Sequence, residues 1–322
     1  MNSLLSVRDL HVTFDISQGG WPWTPAKKLR AVNGISFDLK AGQTLGIVGE
    51  SGCGKSTLIR AIAGLTPMSQ GRVHVDGVEM DYANPAQKSA LVRSLQMIFQ
   101  DPIASLNPRM TVIEIVQEPL QFIFPEMSAQ ERRKKAYAML DRVGISQRNF
   151  GRYPHEFSGG QCQRIGIARA LISAPKILLC DEPVSALDVS IQAQVVNLLL
   201  ELQAEMGLAM IFVAHDLGIV HHISDDILVM YLGGMMEGAR ARDLVDAPRH
   251  PYTQALLSAI PVPNPHKRIA PQTLDGELPS PMDLPNGCLF ATRCPKVQDR
   301  CLVDRPDFAN EFAPNVACHF PR

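Results

Sequence analysis

The stretch that decides the fold is GESGCGKST, residues 49–57. It matches the pattern G-x-x-x-x-G-K-[ST] of loops that wrap around nucleotide phosphates. An apolar run, TLGIV, precedes it and a helical run, TLIRAIAG, follows it, which is the strand–loop–helix context that the motif requires. Glycines let backbone N–H groups turn toward phosphate oxygens, and a helix N-terminus adds partial positive charge. The sequence therefore predicts a phosphate-binding loop.

The residue types within this loop predict separate tasks. Lys55 can reach the β and γ phosphates of a nucleotide, and Ser56 can hold Mg²⁺. The remaining residues of the loop are expected to surround the phosphates: Gly49, Glu50, Ser51, Gly52, Cys53, Gly54 and Thr57.

A second apolar run, KILLCDE, ends in two acidic residues. Asp181 is placed to bind Mg²⁺ through water, and Glu182 could act as the general base on an attacking water. Alone, such a pair would more often lie in a solvated loop. Together with a phosphate loop, it predicts a nucleoside triphosphatase.

A second glycine-rich helix start lies in FSGGQCQRIGIARAL, residues 157–171. Ser158, Gly159, Gly160 and Gln161 open a helix whose N–H groups could bind another face of an anion. In isolation, a helix cap without a ligand would be the ordinary interpretation. Because one nucleotide needs only one phosphate loop, the second site is expected to act in trans, on the nucleotide of another subunit.

These motifs, in this order, resemble the ABC ATPase family over nearly the whole chain, with Ser158–Gln161 as the signature motif. The resemblance implies ATP as the nucleotide. It also implies four further sites: Phe14 stacking on adenine, Gln100 sensing Mg²⁺ in MIFQDP, Asp188 in the D-loop SALD, and the switch residue His215 in VAHD. Phe157 departs from the usual leucine but keeps an apolar side chain.

Several stretches resemble the ATPase subunits of oligopeptide and dipeptide ABC importers: IFQDPIASLNPRM, RYPHEFSGGQCQR, HPYTQALLSAIP and GCLFATRCP. Trp21 and Trp23 make the second ATPase subunit of such importers the nearest likeness. The resemblance implies peptide uptake driven by ATP hydrolysis. It also implies a heterodimer with a second ATPase subunit, two transmembrane permease subunits, an extracytoplasmic peptide-binding protein, and a peripheral position on the cytoplasmic face of the inner membrane.

Two alternatives stay open. The chain could serve an importer of another solute, such as nickel or glutathione, because the ATPase does not touch the cargo. It could also be a soluble ABC ATPase without a transport role. The second is disfavoured by a single cassette and by a net charge of −1, which gives no attraction to nucleic acid. No run of about 18 apolar residues occurs, and the N-terminus lacks a secretory pattern, so a cytosolic protein is expected.

The alternation of strand and helix patterns predicts an α/β fold: a P-loop NTPase of the ABC type, with a helical subdomain and a small Pro/Cys-rich C-terminal domain. The expected ATP-binding core, with an antiparallel β subdomain, covers 1–100 and 158–244. The helical subdomain covers 101–157, and the C-terminal domain 245–322, which holds 13 of the 24 prolines.

Single elements are also predicted. Strands are expected at 4–14, 35–48, 176–180, 209–214 and 227–232, with a surface loop at 17–30. Asp76-Gly77 predicts a hairpin turn. Ser128 and Glu131 predict a capping box at a helix start, and 189–206 is expected to be helical.

Four of the seven cysteines lie in the C-terminal region: Cys288, Cys294, Cys301 and Cys318. Disulfides are unusual in a cytosolic protein, and buried thiols or a metal centre remain. The spacing has neither the C-x-x-C pattern of zinc sites nor a ferredoxin run. The family resemblance implies a [4Fe–4S] cluster rather than zinc. Cys53, Cys162 and Cys180 lie in ATPase motifs and are not expected to be ligands.

Overall fold

The computed structural model describes residues 3–16, 27–259, 279–308 and 315–322. The α-helices of these residues, in chain order, are α1 (Lys55–Ile62), α2 (Pro85–Ser94), α3 (Val112–Ile123), α4 (Ala129–Arg142), α5 (Gly159–Leu171), α6 (Val189–Met206), α7 (Leu217–Ile223), α8 (Ala241–Asp246), α9 (Pro251–Ser258) and α10 (Asp299–Val303).

The strands of the same residues are β1 (Leu5–Ile16), β2 (Lys27–Leu39), β3 (Thr44–Val48), β4 (Gln70–Val75), β5 (Val78–Glu79), β6 (Leu95–Ile98), β7 (Ile177–Asp181), β8 (Ala209–Ala214), β9 (Asp226–Tyr231), β10 (Gly234–Arg240) and β11 (Asn315–Val316).

The chain forms two compact units. The first contains the described residues of Met1–Leu39, Thr44–Met80 and Ala214–Arg322, and the second contains Lys40–Gln43 and Asp81–Val213. Each unit combines segments that are far apart in sequence. The predicted domain boundaries divide the chain differently and remain a prediction.

An antiparallel sheet of order β2-β1-β4-β5 belongs to the first unit. Its strand β1 buries Leu5, Val7, Leu10 and Val12, an alternation that is typical of a strand with one face on the core. The alternation slips by one residue at Asp9, where φ is +46° and the pairing register shifts. A β-bulge therefore keeps the apolar face inward from Leu5 to Val12.

The predicted strand at 35–48 is two strands. β2 ends at Leu39, a turn follows at residues 40–43, and β3 begins at Thr44. Gly42 has a φ of +70°, which a turn tolerates and a continuous strand does not. β2 also begins at Lys27, so the prediction of a loop was wrong for 27–30. Residues 17–26, with Trp21 and Trp23, lie outside the described residues.

The first unit also contains strands in the order β11-β10-β9-β3. β3 runs parallel to β9 and is buried at all five residues, as expected for a strand that is covered on both faces. Helix α7 covers one face at Gly46, where a Cβ would lie 2.2 Å from Val220 Cγ1. A larger residue at this position would separate the helix from the strand.

The second unit contains three parallel strands in the order β8-β7-β6. Helices α3, α4 and α5 contact one another within this unit. The capping box predicted at Ser128 is confirmed: its hydroxyl accepts from the Glu131 N–H, and the Glu131 carboxylate accepts from the Ser128 N–H. Helix α6 has the bounds that the pattern predicted, with Asp188 as its N-cap and Gly207, at φ +64°, as its C-cap.

Further sequence predictions are confirmed. The Asp76-Gly77 turn connects β4 to β5, with both residues at positive φ. Strands occupy the predicted positions at β7, β8 and β9.

In the C-terminal region, Pro251 begins α9, and β11 pairs with β10 through Glu237 and Val316. Within the part of the chain that the structure describes, no helix is long and apolar enough to cross a membrane.

Candidate active site

The phosphate loop connects β3 to α1 in the first unit, and its glycines are required by close packing. A Cβ at Gly54 would lie 2.1 Å from the Ala31 carbonyl oxygen, and a Cβ at Gly49 would lie 2.2 Å from that of Met230. Gly54 also has a φ of +104°, a region that favours glycine. The tight turn at this position therefore excludes any side chain.

The Lys55 side chain lies inside the loop. Its side chain is buried, with 4% exposed, and its Nζ donates to the carbonyl oxygens of Gly49 at 2.7 Å and Glu50 at 3.0 Å. Helix α1 begins at Lys55, with the side-chain-free Gly54 as N-cap and no acidic residue in the first turn. A backbone cradle, a buried ammonium and a helix N-terminus without a carboxylate fit the triphosphate of a nucleotide.

The other residues of the loop differ in exposure. Ser51 and Gly52 are exposed, whereas Ser56 and Thr57 are partly buried at the start of α1. Cys53 is buried, and burial raises the pKa of its thiol. It therefore stays a protonated, unreactive side chain that packs beneath the loop.

In the second unit, the structure brings Gln100 and Glu182 together. Gln100 follows β6, and its Nε2 donates to Glu182 Oε2 at 3.0 Å. Asp181 ends β7 and is fully buried. Glu182 has a φ of +45°, and its N–H donates to the Val213 carbonyl at 3.0 Å. Glu182 therefore has an uncommon backbone conformation at the point where its carboxylate meets the Gln100 amide.

The signature residues form a capping box at the start of α5. The Ser158 N–H donates to Gln161 Oε1 at 3.1 Å, and Ser158 Oγ accepts from the Gln161 N–H at 3.4 Å. A Cβ at Gly160 would lie 2.5 Å from Ile191 Cγ2, whereas at Gly159 the nearest atom would be 3.5 Å away. Gly160 is therefore fixed by packing against α6, whereas a Cβ at Gly159 would make only an ordinary contact with Leu187.

Two predicted residues lie at element ends, and a third lies within a strand. Asp188 caps α6 by accepting from the Ile191 N–H at 3.1 Å, and a hydrogen bond from Ser190 lowers the pKa of its carboxyl group. His215 is exposed and follows β8 directly. Phe14 lies on β1 with 37% of its surface exposed, which is unusual for a phenylalanine within a paired strand.

Comparisons with known proteins identify the family to which this chain belongs. A family profile described as ABC transporter matches residues 32–185, and one described as Oligopeptide/dipeptide transporter, C-terminal region, matches residues 236–301. The oligopeptide transport ATP-binding protein OppF of Escherichia coli (strain K12) is 55% identical over 98% of this chain and 95% of its own length. This chain belongs to the ABC transporter ATP-binding proteins.

Other similar proteins support the assignment. The di/tripeptide transport ATP-binding protein DppF of Pseudomonas aeruginosa (strain UCBPP-PA14) is 46% identical over 99% of this chain and 98% of that protein. A dimeric post-hydrolysis structure of the ATP-binding cassette MJ0796, bound to ADP and Pi, has a TM-score of 0.65 and 28% identity. It covers 74% of this chain and 99% of that one. This ABC protein is an ATPase, and ATP with Mg²⁺ is consistent with its fold.

The prediction of a [4Fe–4S] cluster in this ABC protein is wrong. All seven cysteines, each within the described residues, are free thiols. The four C-terminal ones line one small cavity. Across residues 3–16, 27–259, 279–308 and 315–322, however, no group of three or more His, Cys, Asp or Glu side chains is placed to hold a metal ion. The names of the similar ABC proteins describe peptide transport and ATP binding.

The packing around the thiols is consistent with this correction. Burial raises the pKa of Cys288 to about 11 and raises the pKa of Cys294 and Cys318 as well. In the metal-free chain, these three thiols therefore keep their protons at neutral pH. Cys288 and Cys301 are instead joined through their backbones by an N–H···O bond of 2.8 Å. The same findings remove the support for zinc.

Sequence reasoning missed two residues that contact the phosphate loop of this ABC protein. Tyr252, on α9, accepts a hydrogen bond from the Glu50 N–H, and Arg293 forms an ion pair with the Glu50 carboxylate. Both lie in stretches that the family resemblance had singled out. Their separations of 202 and 243 residues from Glu50 leave no local pattern that could pair them with the loop.

Proposed function

We propose that this chain is the ATPase subunit of an ABC importer that takes up oligopeptides or dipeptides across the cytoplasmic membrane. The observation that carries the proposal is similarity along both the cassette and the C-terminal region to transport ATP-binding proteins named for oligopeptides and di/tripeptides. The cassette alone would support an ABC ATPase of any kind, so the cargo class rests on the extended similarity.

In this proposal, the phosphate loop residues 49–57 hold the triphosphate of ATP. Lys55 moves its ammonium group from the carbonyl oxygens of Gly49 and Glu50 to the β and γ phosphates, and Ser56 binds Mg²⁺ through its hydroxyl group. The exposed ring of Phe14 stacks on the adenine. The buried position of Lys55 supports this role, because an ammonium that is already held inside the loop needs little reordering when the phosphates arrive.

Asp181 and Gln100 are metal-binding residues in this proposal, and Glu182 acts as the general base. When bound, Mg²⁺ neutralises charge on the β and γ phosphates. Glu182 accepts a proton from the attacking water. The Gln100 amide, whose Nε2 lies 3.0 Å from the Glu182 carboxylate, orients that carboxylate. His215 contributes as the switch residue that responds to the γ-phosphate.

The Ser158–Gln161 segment acts in trans in this proposal, on ATP held by the phosphate loop of a second ATPase subunit, and Asp188 lies in the same interface. The partly exposed, side-chain-free Gly159 supports this assignment, since a phosphate can approach the N–H groups of a helix start that carries no side chain of its own. The partner is a different ATPase subunit, which gives a heterodimer.

Residues 101–157 dock two transmembrane permease subunits in this proposal. Phe122 is 79% exposed and Ile103 is 56% exposed in this region, and exposed large apolar side chains of this kind are typical of interaction surfaces. An extracytoplasmic peptide-binding protein delivers the cargo. The chain is then a peripheral protein on the cytoplasmic face of the inner membrane, held there through the permeases.

The test is purification of the complex from membranes, followed by reconstitution into proteoliposomes with its binding protein. We expect co-purification with integral membrane proteins and ATP hydrolysis that is stimulated by loaded peptide-binding protein. Nickel and glutathione serve as comparison cargoes. Stimulation by one of these and not by peptides would overturn the peptide assignment, and absence of any membrane partner would overturn the transport role.

A further inference from the structure

Glu50 of the phosphate loop has three hydrogen-bonding partners, and two of them, Tyr252 and Arg293, belong to the C-terminal region of the chain. The Glu50 N–H donates to Tyr252 Oη at 3.0 Å. The Glu50 carboxylate accepts from Arg293 Nη1 at 3.1 and 2.9 Å. The Glu50 carbonyl accepts from Lys55 Nζ at 3.0 Å. The N–H, the carbonyl oxygen and the carboxylate of Glu50 therefore all have partners. The partners of the N–H and of the carboxylate lie more than 200 positions away in the sequence.

The contact between Arg293 and Glu50 is not an ordinary surface ion pair. The Arg293 side chain is 9% exposed and that of Glu50 is 28% exposed. Water therefore screens this pair less than an exposed one, and charge-assisted hydrogen bonds are among the stronger ones in proteins. Arg293 also lies over the Tyr231 ring, with its guanidinium carbon 5.9 Å from the ring centre.

An aromatic cluster holds these groups in place. Tyr231, Tyr252 and Phe290 are fully buried and contact one another at ring-centre distances of 4.9 to 5.3 Å. A short turn fixes Arg293, because its N–H donates to the Phe290 carbonyl. Burial raises the pKa of Tyr252, so its hydroxyl group stays protonated and accepts from Glu50. Tyr252 and Arg293, which contact the loop, are thus held by close packing and by a short turn.

This arrangement determines which loop groups remain for phosphate. The N–H of Glu50 is occupied by Tyr252 and its carboxylate by Arg293, whereas the next residues, Ser51 and Gly52, are exposed. A loop whose first turn is fixed presents its following N–H groups in one orientation, which lowers the entropy that phosphate binding must overcome. We propose that Tyr252 and Arg293 are positioning residues of the phosphate loop, through which the C-terminal region sets the affinity for ATP.

The test uses the full-length chain and two variants. Tyr252→Phe keeps the ring packing and removes the acceptor of the Glu50 N–H, and Arg293→Gln removes the charge. We expect the Kd for Mg-ATP to rise about fivefold in the first and about tenfold in the second. In the assembled transporter, KM for ATP should rise while kcat at saturating ATP stays near the wild-type value. A purely structural role would lower the melting temperature without nucleotide and leave Kd unchanged.

Two further variants complete the design. Arg293→Lys keeps the charge and should restore part of the affinity. Arg300→Gln is the matched control, because Arg300 lies in the same region in an exposed ion pair with Asp304, and its Kd should equal that of the wild type. If Arg293→Gln does not fold, the Kd values of Tyr252→Phe and Arg293→Lys test the proposal. An unchanged Kd in Tyr252→Phe together with an unchanged Kd in whichever Arg293 variants fold would overturn the proposal.

Discussion

The chain contains two glycine-rich helix starts, and the two are completed in different ways. Gly54, before α1, has no side chain to cap the helix, and the loop ahead of it is shaped by Lys55 and by residues from the C-terminal region. Ser158, before α5, caps its own helix together with Gln161, three residues further on. The first start is assembled from distant parts of the chain, and the second is complete within four residues.

This difference indicates what each helix start can do alone. The N-terminus of α1 has a buried ammonium group beside it, so a single chain offers both charge and N–H groups to a nucleotide. The N-terminus of α5 has its capping hydrogen bonds satisfied and no cation in its first turn. It is therefore suited to supplement a nucleotide that is already bound elsewhere, as our proposal of action in trans requires.

The largest expected effect comes from a substitution at the first helix start, the N-terminus of α1. Lys55→Ala should raise the Kd for Mg-ATP by a factor on the order of 10³, because the phosphates lose a direct charged donor. Titration with a fluorescent ATP analogue measures this. Lys88→Ala, an exposed lysine on α2, is the control and should bind normally. Retention of wild-type affinity in Lys55→Ala would contradict the role of the ammonium.

A second variant separates binding from hydrolysis. Glu182→Gln should keep ATP affinity and slow hydrolysis by about 10²-fold, the usual contribution of a general base. Glutamine retains an oxygen that can accept from Gln100, so the local geometry is preserved. Single-turnover cleavage at this subunit's own site is the measurement, with the exposed Glu201→Gln on α6 as control. Unchanged cleavage would show that the base lies elsewhere.

A third variant sharpens the comparison at the other helix start. Gly159→Asp should leave ATP binding by the isolated chain unchanged and reduce hydrolysis at the partner's site about tenfold or more, because a carboxylate would face a phosphate. Gly159→Ala is the control: its Cβ would lie 3.5 Å from Leu187 Cδ2, an ordinary contact, so it tests size without charge. Loss of binding in isolated Gly159→Asp would contradict action in trans.

Sequence alone predicted the parts of this fold that local physics determines. The helical pattern of residues 189–206 predicted the bounds of α6, and a three-residue spacing predicted the capping box at Ser128. The phosphate loop was evident because its glycines, lysine and flanking elements occur in one short stretch. Each of these features depends on residues within one or two turns of each other.

Features that depend on distant packing were missed or wrong. The turn at residues 40–43 interrupts an apolar run that resembles one strand. Four cysteines that are close in sequence suggested a metal centre, yet their side chains are not arranged to hold one. The contacts of Tyr252 and Arg293 with Glu50 join segments more than 200 residues apart. Composition and spacing carry no information about such pairings.

The smallest expected effect concerns His250, which supports the segment behind the phosphate loop. Its ring is buried, its Nδ1 accepts from the Tyr252 N–H at 3.0 Å, and Glu237 accepts from its backbone N–H. Burial lowers the pKa of His250 to about 4, below its ordinary value of 6.5. The folded chain therefore holds a neutral ring at a pH at which the unfolded chain already binds a proton.

The sign of the pH dependence follows from this difference. Stability from a neutral His250 is fully present above about pH 6.5 and is lost as the pH falls toward 4, by at most about 1.4 kcal/mol per pH unit. Wild-type protein should lose about 2 kcal/mol more than His250→Asn between about pH 7 and pH 5. Denaturant unfolding at both pH values measures this, with the exposed His221→Asn on α7 as control. Equal pH slopes in wild type and His250→Asn would show that the His250 ring does not remain neutral in the folded chain.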